Sequence, residues 1–211
     1  MNKKIKAIIF DFGGVLSTND DIPEFWQEHG KKLGVDPALG SEIALPIWME
    51  ARVGKIDSDI YWEKLGVLTK MGAEEFKKYF IGCTGFNDEL FVYIKEKLKG
   101  KYRLAILSNQ IESWFETIAQ KKKFREVFDV IVTSYETGIA KPDIKIYKKT
   151  IEDLGVKSHE CIFIEDRAKN LEPAKKLGMK TIEFKSYVQL VEDLKKILDA
   201  DDKKVRLHEI R

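Results

Sequence analysis

Five short runs rich in apolar residues, at 5–10, 103–107, 127–132, 161–165 and 180–184, recur along the chain and leave it few architectures to choose from. Each has the length and β-branched content of a strand. The stretches at 113–120, 145–154, 171–177 and 187–198 carry helical periodicity instead, the last through Val188, Leu190, Val191, Leu194, Ile197 and Leu198. Strands alternating with helices build a sheet by right-handed crossovers, so the spacing predicts an α/β fold around a doubly wound parallel sheet. The first run breaks at Asp11 into the turn Phe12-Gly13-Gly14-Val15-Leu16. Ligands of open α/β sheets sit at the carboxyl ends of strands, so Asp11 is aimed at a site; on this segment alone it serves equally well as a turn cap.

Between the first run and the second lie roughly ninety residues, too many for an ordinary crossover and without a convincing strand. They predict a helical insertion after the first strand. The chain then divides into a core, 1–16 with 88–211, and a helical cap over 17–87, with joints near 17–20 and 84–87 where small and polar residues gather. The insertion holds Trp26, Trp48 and Trp62, whose default place is its own core; one or two of these aromatics lining a substrate cavity is the sharper alternative. Beyond Leu198 the sequence turns strongly polar and leaves the order of that tail open.

Composition excludes several classes. The 37 basic and 35 acidic residues nearly cancel, giving +2, so neither nucleic acid nor a membrane surface is an expected partner. The one basic cluster, Lys121-Lys122-Lys123 with Arg125, falls where a helix ends and reads as a solvated terminus. No apolar run approaches the ~20 residues of a bilayer span, and Met1-Asn2-Lys3-Lys4 leads into a strand rather than a signal-peptide core. A cytoplasmic protein, monomeric or homodimeric, is expected. Cys83 and Cys161 lack metal-ligand spacing and read as buried free thiols.

Four strand ends offer polar groups at one edge of such a sheet: Asp11, Ser108-Asn109, Lys141 and Glu165-Asp166. Singly, each could cap a helix or shape a turn. Together they form a coherent site, because carboxylates from two strands can hold a hard cation such as Mg²⁺ while a hydroxyl, an amide and an ammonium hold a phosphoryl group opposite it.

These residues resemble the motifs of the haloacid dehalogenase-like hydrolase superfamily, in order along the whole chain: Phe10-Asp11-Phe12-Gly13-Gly14-Val15-Leu16; Leu107-Ser108-Asn109; Gly138-Ile139-Ala140-Lys141-Pro142-Asp143; and Phe163-Ile164-Glu165-Asp166-Arg167 with Asn170. The resemblance implies a Rossmann-like core and a Mg²⁺-dependent phosphatase acting on a small phosphorylated metabolite. It implies that Asp11 attacks phosphorus and that Ser108, the Asn109 amide and Lys141 stabilise the phosphoryl oxygens. Mg²⁺ would be held by Asp11, the Gly13 carbonyl, Asp166 and Glu165 or its water, with Asn170 and Arg167 supporting the loop.

The sequence departs from the family pattern at Gly13, where most such phosphatases carry the aspartate that protonates the leaving alcohol. Loss of a general acid costs ~10²–10⁴ in rate. Asp20 and Asp21 are conceivable replacements, but the favoured reading puts them in the hinge or at a helix cap. The Asp-x-Gly pattern, with Gly54-Lys55-Ile56-Asp57 and Ile146-Tyr147, is similar to a subgroup related to α-D-glucose-1-phosphate phosphatase, which implies a sugar phosphate. Two alternatives stand beside this reading. One is a 2-haloacid dehalogenase, in which Arg52 would meet a substrate carboxylate and the Glu165-Asp166 pair would be unexplained. The other is a weakly active phosphate-binding or interaction protein.

Overall fold

A computed structural model describes residues 5–18 and 20–209, with side chains through Asp201. In chain order the elements are β1 (Ala7–Phe10), β2 (Ser17–Thr18), α1 (Ile22–His29), α2 (Pro37–Ala51), α3 (Ser58–Leu68), α4 (Ala73–Cys83), β3 (Gly85–Phe86) and α5 (Asp88–Tyr93), which runs on into a π-helical turn at Ile94–Leu98. They continue with β4 (Arg103–Ser108), α6 (Glu112–Lys122), α7 (Phe124–Val127), β5 (Val130–Thr133), α8 (Ser134–Thr137), α9 (Ile144–Leu154), β6 (Cys161–Glu165), α10 (Ala168–Lys176), β7 (Lys180–Glu183) and α11 (Tyr187–Glu209).

Five strands form a parallel sheet in the order β5-β4-β1-β6-β7. Side chains alternate across it: Ile8, Phe10, Leu104, Ile106, Ile162 and Ile164 enter one apolar layer, and Ala7, Ile9, Ala105, Leu107, Cys161 and Phe163 the other. Burial on both faces explains why these strands read as continuous apolar runs. β1 is central, with Phe10 beside Ile106 on one side and Ile164 on the other. The chain leaves β1 toward β4 on one side and later returns to β6 on the other, so Asp11 stands where the strand order reverses, a crevice that collects ligands in such sheets.

The structure shifts some expected boundaries. The third long strand begins at Val130, because Val127 closes α7 and Phe128 turns into the aromatic cluster around Phe124. The insertion contains two short strands: Ser17 pairs with Phe86 and Thr18 with Gly85, an antiparallel ribbon where the chain leaves and rejoins the sheet. The polar segment after Leu198, whose order the sequence leaves open, continues the last helix. α11 runs on to Glu209, and buried Asp201 accepts a hydrogen bond of 2.6 Å from the Ile5 amide. A polar segment without an apolar stripe remains helical here because its first turns are anchored by Leu190 and Leu194.

The basic cluster at the end of α6 is engaged locally. Lys122 pairs with Asp88 and lies over the Phe86 ring, and Arg125 binds Glu116 through two hydrogen bonds of 2.8 and 2.9 Å. Cys83 and Cys161 are free thiols. Among the described residues, no helix is long and apolar enough to cross a membrane.

Helices α1, α2 and α3 start at aspartates, Asp21, Asp36 and Asp57, whose carboxylates accept first-turn amide bonds. With α4 they enclose Phe25, Trp26, Trp62, Phe76 and Phe80, a packed aromatic group. Trp114 of α6 enters it from the sheet side, 4.6 Å from the Phe80 centroid and 6.5 Å from Trp62, and Trp62 Nε1 donates to Ser113 Oγ at 2.7 Å. Trp114→Ala should therefore cost about 3–5 kcal/mol in urea unfolding and loosen the inserted helices, seen as faster amide exchange in α3 and α4. Unchanged exchange there would contradict this packing.

Candidate active site

At the carboxyl end of β1, Asp11 is buried, and its Oδ1 accepts a 2.7 Å hydrogen bond from the Phe12 amide and lies 2.7 Å from Lys141 Nζ. The same ammonium lies 2.7 Å from Glu165 Oε2 at the end of β6. Lys141 arrives on the loop after α8, and its position is fixed by a reciprocal pair: the Asn109 side chain donates to the Lys141 carbonyl at 2.9 Å and accepts from the Lys141 amide at 2.8 Å. Asn109 thus fastens the lysine loop through its side chain, a role beyond the backbone amide read from sequence. The Lys141–Pro142 peptide bond is cis.

Asp166 completes a cluster in which carboxylate oxygens of Asp11, Glu165 and Asp166 all lie within 4.8 Å of one another. Gly14 makes this approach possible: at φ 72° a Cβ there would meet Asp166 Oδ2 at 2.3 Å. The electrostatics are unbalanced. Burial and the Glu165 charge push Asp11 well above the usual carboxylate range against the pull of Lys141. Burial also opposes ionisation of Glu165, but Lys141 and hydrogen bonds from its neighbours bring it down to about 2. Asp166 rises to about 7 through burial and the adjoining Glu165. Burial works against the charge on Lys141 too, and the Asp11 and Glu165 carboxylates hold it ionised.

Three carboxylates meet one buried ammonium, with Arg167 only at the rim beside Asp166, and the excess of negative charge suits a divalent cation. Asp166 Oδ1 is buried without a hydrogen-bond partner among the described residues, so an oxygen donor is available for it. The donor set is all oxygen, the preference of a hard cation.

Beside this cluster Ser108 closes β4; it is buried and its Oγ has no partner among the described residues. Asn170 Oδ1 is likewise buried and unpartnered, while its carbonyl accepts from Tyr147 Oη at 2.7 Å. Arg167 sits at the rim, 3.1 Å from Asp21 and 3.9 Å from Asp166, and its amide donates to Glu165.

A cavity of about 140 Å³ opens above Asp11 and Lys141, with Gly13, Asn109 and Asn170 among its core-side lining. The inserted helices contribute Trp48 and Arg52. Trp48 Nε1 donates to Gln110 Oε1 at 3.2 Å, and the Arg52 guanidinium lies 4.7 Å from the Trp48 ring centroid, its Nε buried without a hydrogen-bond partner among the described residues. Of the three tryptophans in the insertion, Trp26 and Trp62 are core and Trp48 lines the cavity.

Two residues stand apart from the sequence reading. Asp21 is the N-cap of α1, as expected, but Asp20 lines the cavity beside Gly13. Burial raises the Asp20 carboxyl above its ordinary range, partly offset by Ser17 and Arg167. Gln110 was not singled out from sequence; its place after Ser108-Asn109 was the one available signal.

A family model described as haloacid dehalogenase-like hydrolase matches residues 5–178, and the chain belongs to that family. It is 28% identical over 207 residues to a D-ribitol-5-phosphate phosphatase from Bacteroides thetaiotaomicron, covering 93% of this chain and all of that protein. It is 29% identical to a sesquiterpene phosphatase from Aspergillus oryzae, covering 82% of this chain and 87% of that one. Among solved structures, the magnesium complex of a family enzyme from Bacteroides thetaiotaomicron superposes with a TM-score of 0.73 at 25% identity, covering 87% of this chain and 94% of that chain.

Because burial and the Glu165 charge raise both the Asp11 and Asp166 carboxyls, a divalent cation binding there must displace protons from them. Mg²⁺ affinity, measured by calorimetric titration, should therefore rise with pH over the range in which Asp11 and Asp166 give up their protons. Asp166→Asn should make that rise shallower. A pH-independent affinity in the unaltered protein would contradict the charge accounting.

Proposed function

We propose that the protein is a Mg²⁺-dependent phosphatase of small phosphomonoesters, with sugar phosphates the leading class, that works through an aspartyl-phosphate on Asp11. The observation that carries this reading is the position of Asp11: a buried carboxylate at the cavity floor, gripped at Oδ1 by Lys141 and the Phe12 amide and adjoining the three-carboxylate cluster. The phosphatases and the magnesium complex among its relatives add support.

Asp11 attacks phosphorus, splitting a hard hydrolysis into two displacements. Held at one oxygen, it meets the phosphoryl group in a fixed orientation. Lys141, the unpartnered Ser108 hydroxyl and the Asn109 amide take the negative charge of the phosphoryl oxygens. Asp11, Asp166 and Glu165, directly or through water, would hold Mg²⁺, which when bound offsets the repulsion between carboxylate and phosphate and polarises the transferred group. Arg167 and Asn170 support the loop that carries the acidic pair.

The helices between β2 and β3 act as a cap that selects the leaving group, through Trp48 and Arg52. The acidic cluster weighs against a halide-releasing reading, since that chemistry gives three converging carboxylates no task.

Phosphate release from a panel of phosphomonoesters, including sugar 1-phosphates, tests this directly. Release should require Mg²⁺ and fall by on the order of 10³-fold or more in Asp11→Asn. Halide release from 2-haloacids without Mg²⁺, and no phosphate release, would overturn it.

A further inference from the structure

Gly13 stands two residues after Asp11, and a Cβ built on it would lie 2.8 Å from Asp20 Oδ2, 3.6 Å from Asp20 Cγ and 3.9 Å from Asp20 Oδ1. The Asp20 carboxyl group thus occupies the space into which a side chain at position 13 would project. Both residues line the cavity that holds Asp11 and Lys141.

The structural contacts of Asp20 leave its carboxyl group open to the cavity. The N-cap of α1 is Asp21, and it is Asp21 that forms the ion pair with Arg167. Among the described residues Ser17 Oγ donates to Asp20 Oδ2 at 2.5 Å and the Gly14 backbone also bonds it, contacts that orient the carboxyl group without closing it off from the cavity. Gly13 is in turn what makes room for it, because even a methyl group at that position would oblige the Asp20 carboxyl group to shift.

We propose that Asp20 is the proton-transfer residue of this site, a carboxyl group supplied from the ribbon that leads into the inserted helices rather than from the nucleophile's own turn. The proposal rests on the phosphatase reading above. In the first displacement an Asp11 oxygen bonds to phosphorus, the bond from phosphorus to the ester oxygen breaks with its electron pair going to that oxygen, and the oxygen takes the proton of the Asp20 carboxyl. In the second, Asp20 carboxylate takes a proton from water as the water oxygen bonds to phosphorus, and the bond from phosphorus to Asp11 breaks with its pair returning to Asp11. Protons and charge balance over the cycle, and Asp20 ends as it began.

The test separates proton transfer from a hinge role by the leaving group. Asp20→Asn keeps an acceptor for Ser17, so a hinge contact survives the substitution. With an alkyl phosphomonoester, whose leaving oxygen needs a proton, its kcat/KM should fall ~10²–10³-fold. With p-nitrophenyl phosphate, whose leaving group needs none, the first-turnover burst of nitrophenolate should persist near the unaltered rate while steady turnover slows. The double variant Gly13→Asp with Asp20→Gly moves the carboxyl onto the nucleophile's turn and should recover much of the alkyl-ester activity.

Equal loss of the first turnover for both esters, or no loss for either, would overturn the proposal. A folded double variant that recovers nothing would also count against it; should that variant fail to fold, the leaving-group contrast in Asp20→Asn decides alone. An active unaltered protein with an indifferent Asp20→Asn overturns this assignment only, whereas an unaltered protein that releases no phosphate from either ester overturns the phosphatase reading and this proposal with it.

Discussion

A single buried ammonium organises this molecule's chemistry. Taking a lysine out of water costs several kcal/mol unless carboxylates compensate it, and Lys141 lies within 2.7 Å of both Asp11 and Glu165. The ion pairs bind three separate segments of chain: the end of β1, the end of β6 and the loop before α9. Asn109 adds a fourth by clasping the Lys141 backbone from the end of β4. The arrangement is neutralised only in part, since Asp166 brings a third carboxylate to the same place. That third carboxylate makes the cluster a receptor for a dication, which competes with protons for the same oxygens.

Around this centre the chain divides its labour. The sheet edge supplies groups that suit any phosphoryl ester, and the inserted helices supply Trp48 and Arg52, which can only meet what is attached to it. The two parts are joined by the β2–β3 ribbon, secured by Asn87, whose amide donates to the Leu16 carbonyl at 2.8 Å and whose side chain donates to that of Val15 at 3.3 Å. Trp114 and the Trp62–Ser113 hydrogen bond extend the junction away from the ribbon. Asp20 belongs to this junction too, so the proton-transfer group proposed for the reaction is positioned by the same segment that leads into the inserted helices.

The parallel sheet was legible because strands buried on both faces must be apolar throughout, and the bounds at β6 follow from Cys161-Ile162-Phe163-Ile164-Glu165 directly. β5 was less so: Val127 and Phe128 prolong its apolar run, and only tertiary packing assigns them to a helix end and a ring cluster. The far half of α11 carries no apolar stripe, and Asp201 is held by an amide 196 positions away, a contact no local pattern encodes. Strand-end polar groups could be read off as neighbours because registry puts the ends of β1, β4 and β6 side by side. Asp20 could not, since its relation to Gly13 is one of space alone.

The most direct test of the central claim is a rapid-quench single turnover with a radiolabelled phosphomonoester and Mg²⁺, followed by mapping of label on the protein. The account predicts that label appears on the peptide containing Asp11 before free phosphate accumulates, and then decays as phosphate is released. Free phosphate formed in the first turnover with no label on Asp11, and undiminished in Asp11→Asn, would contradict it.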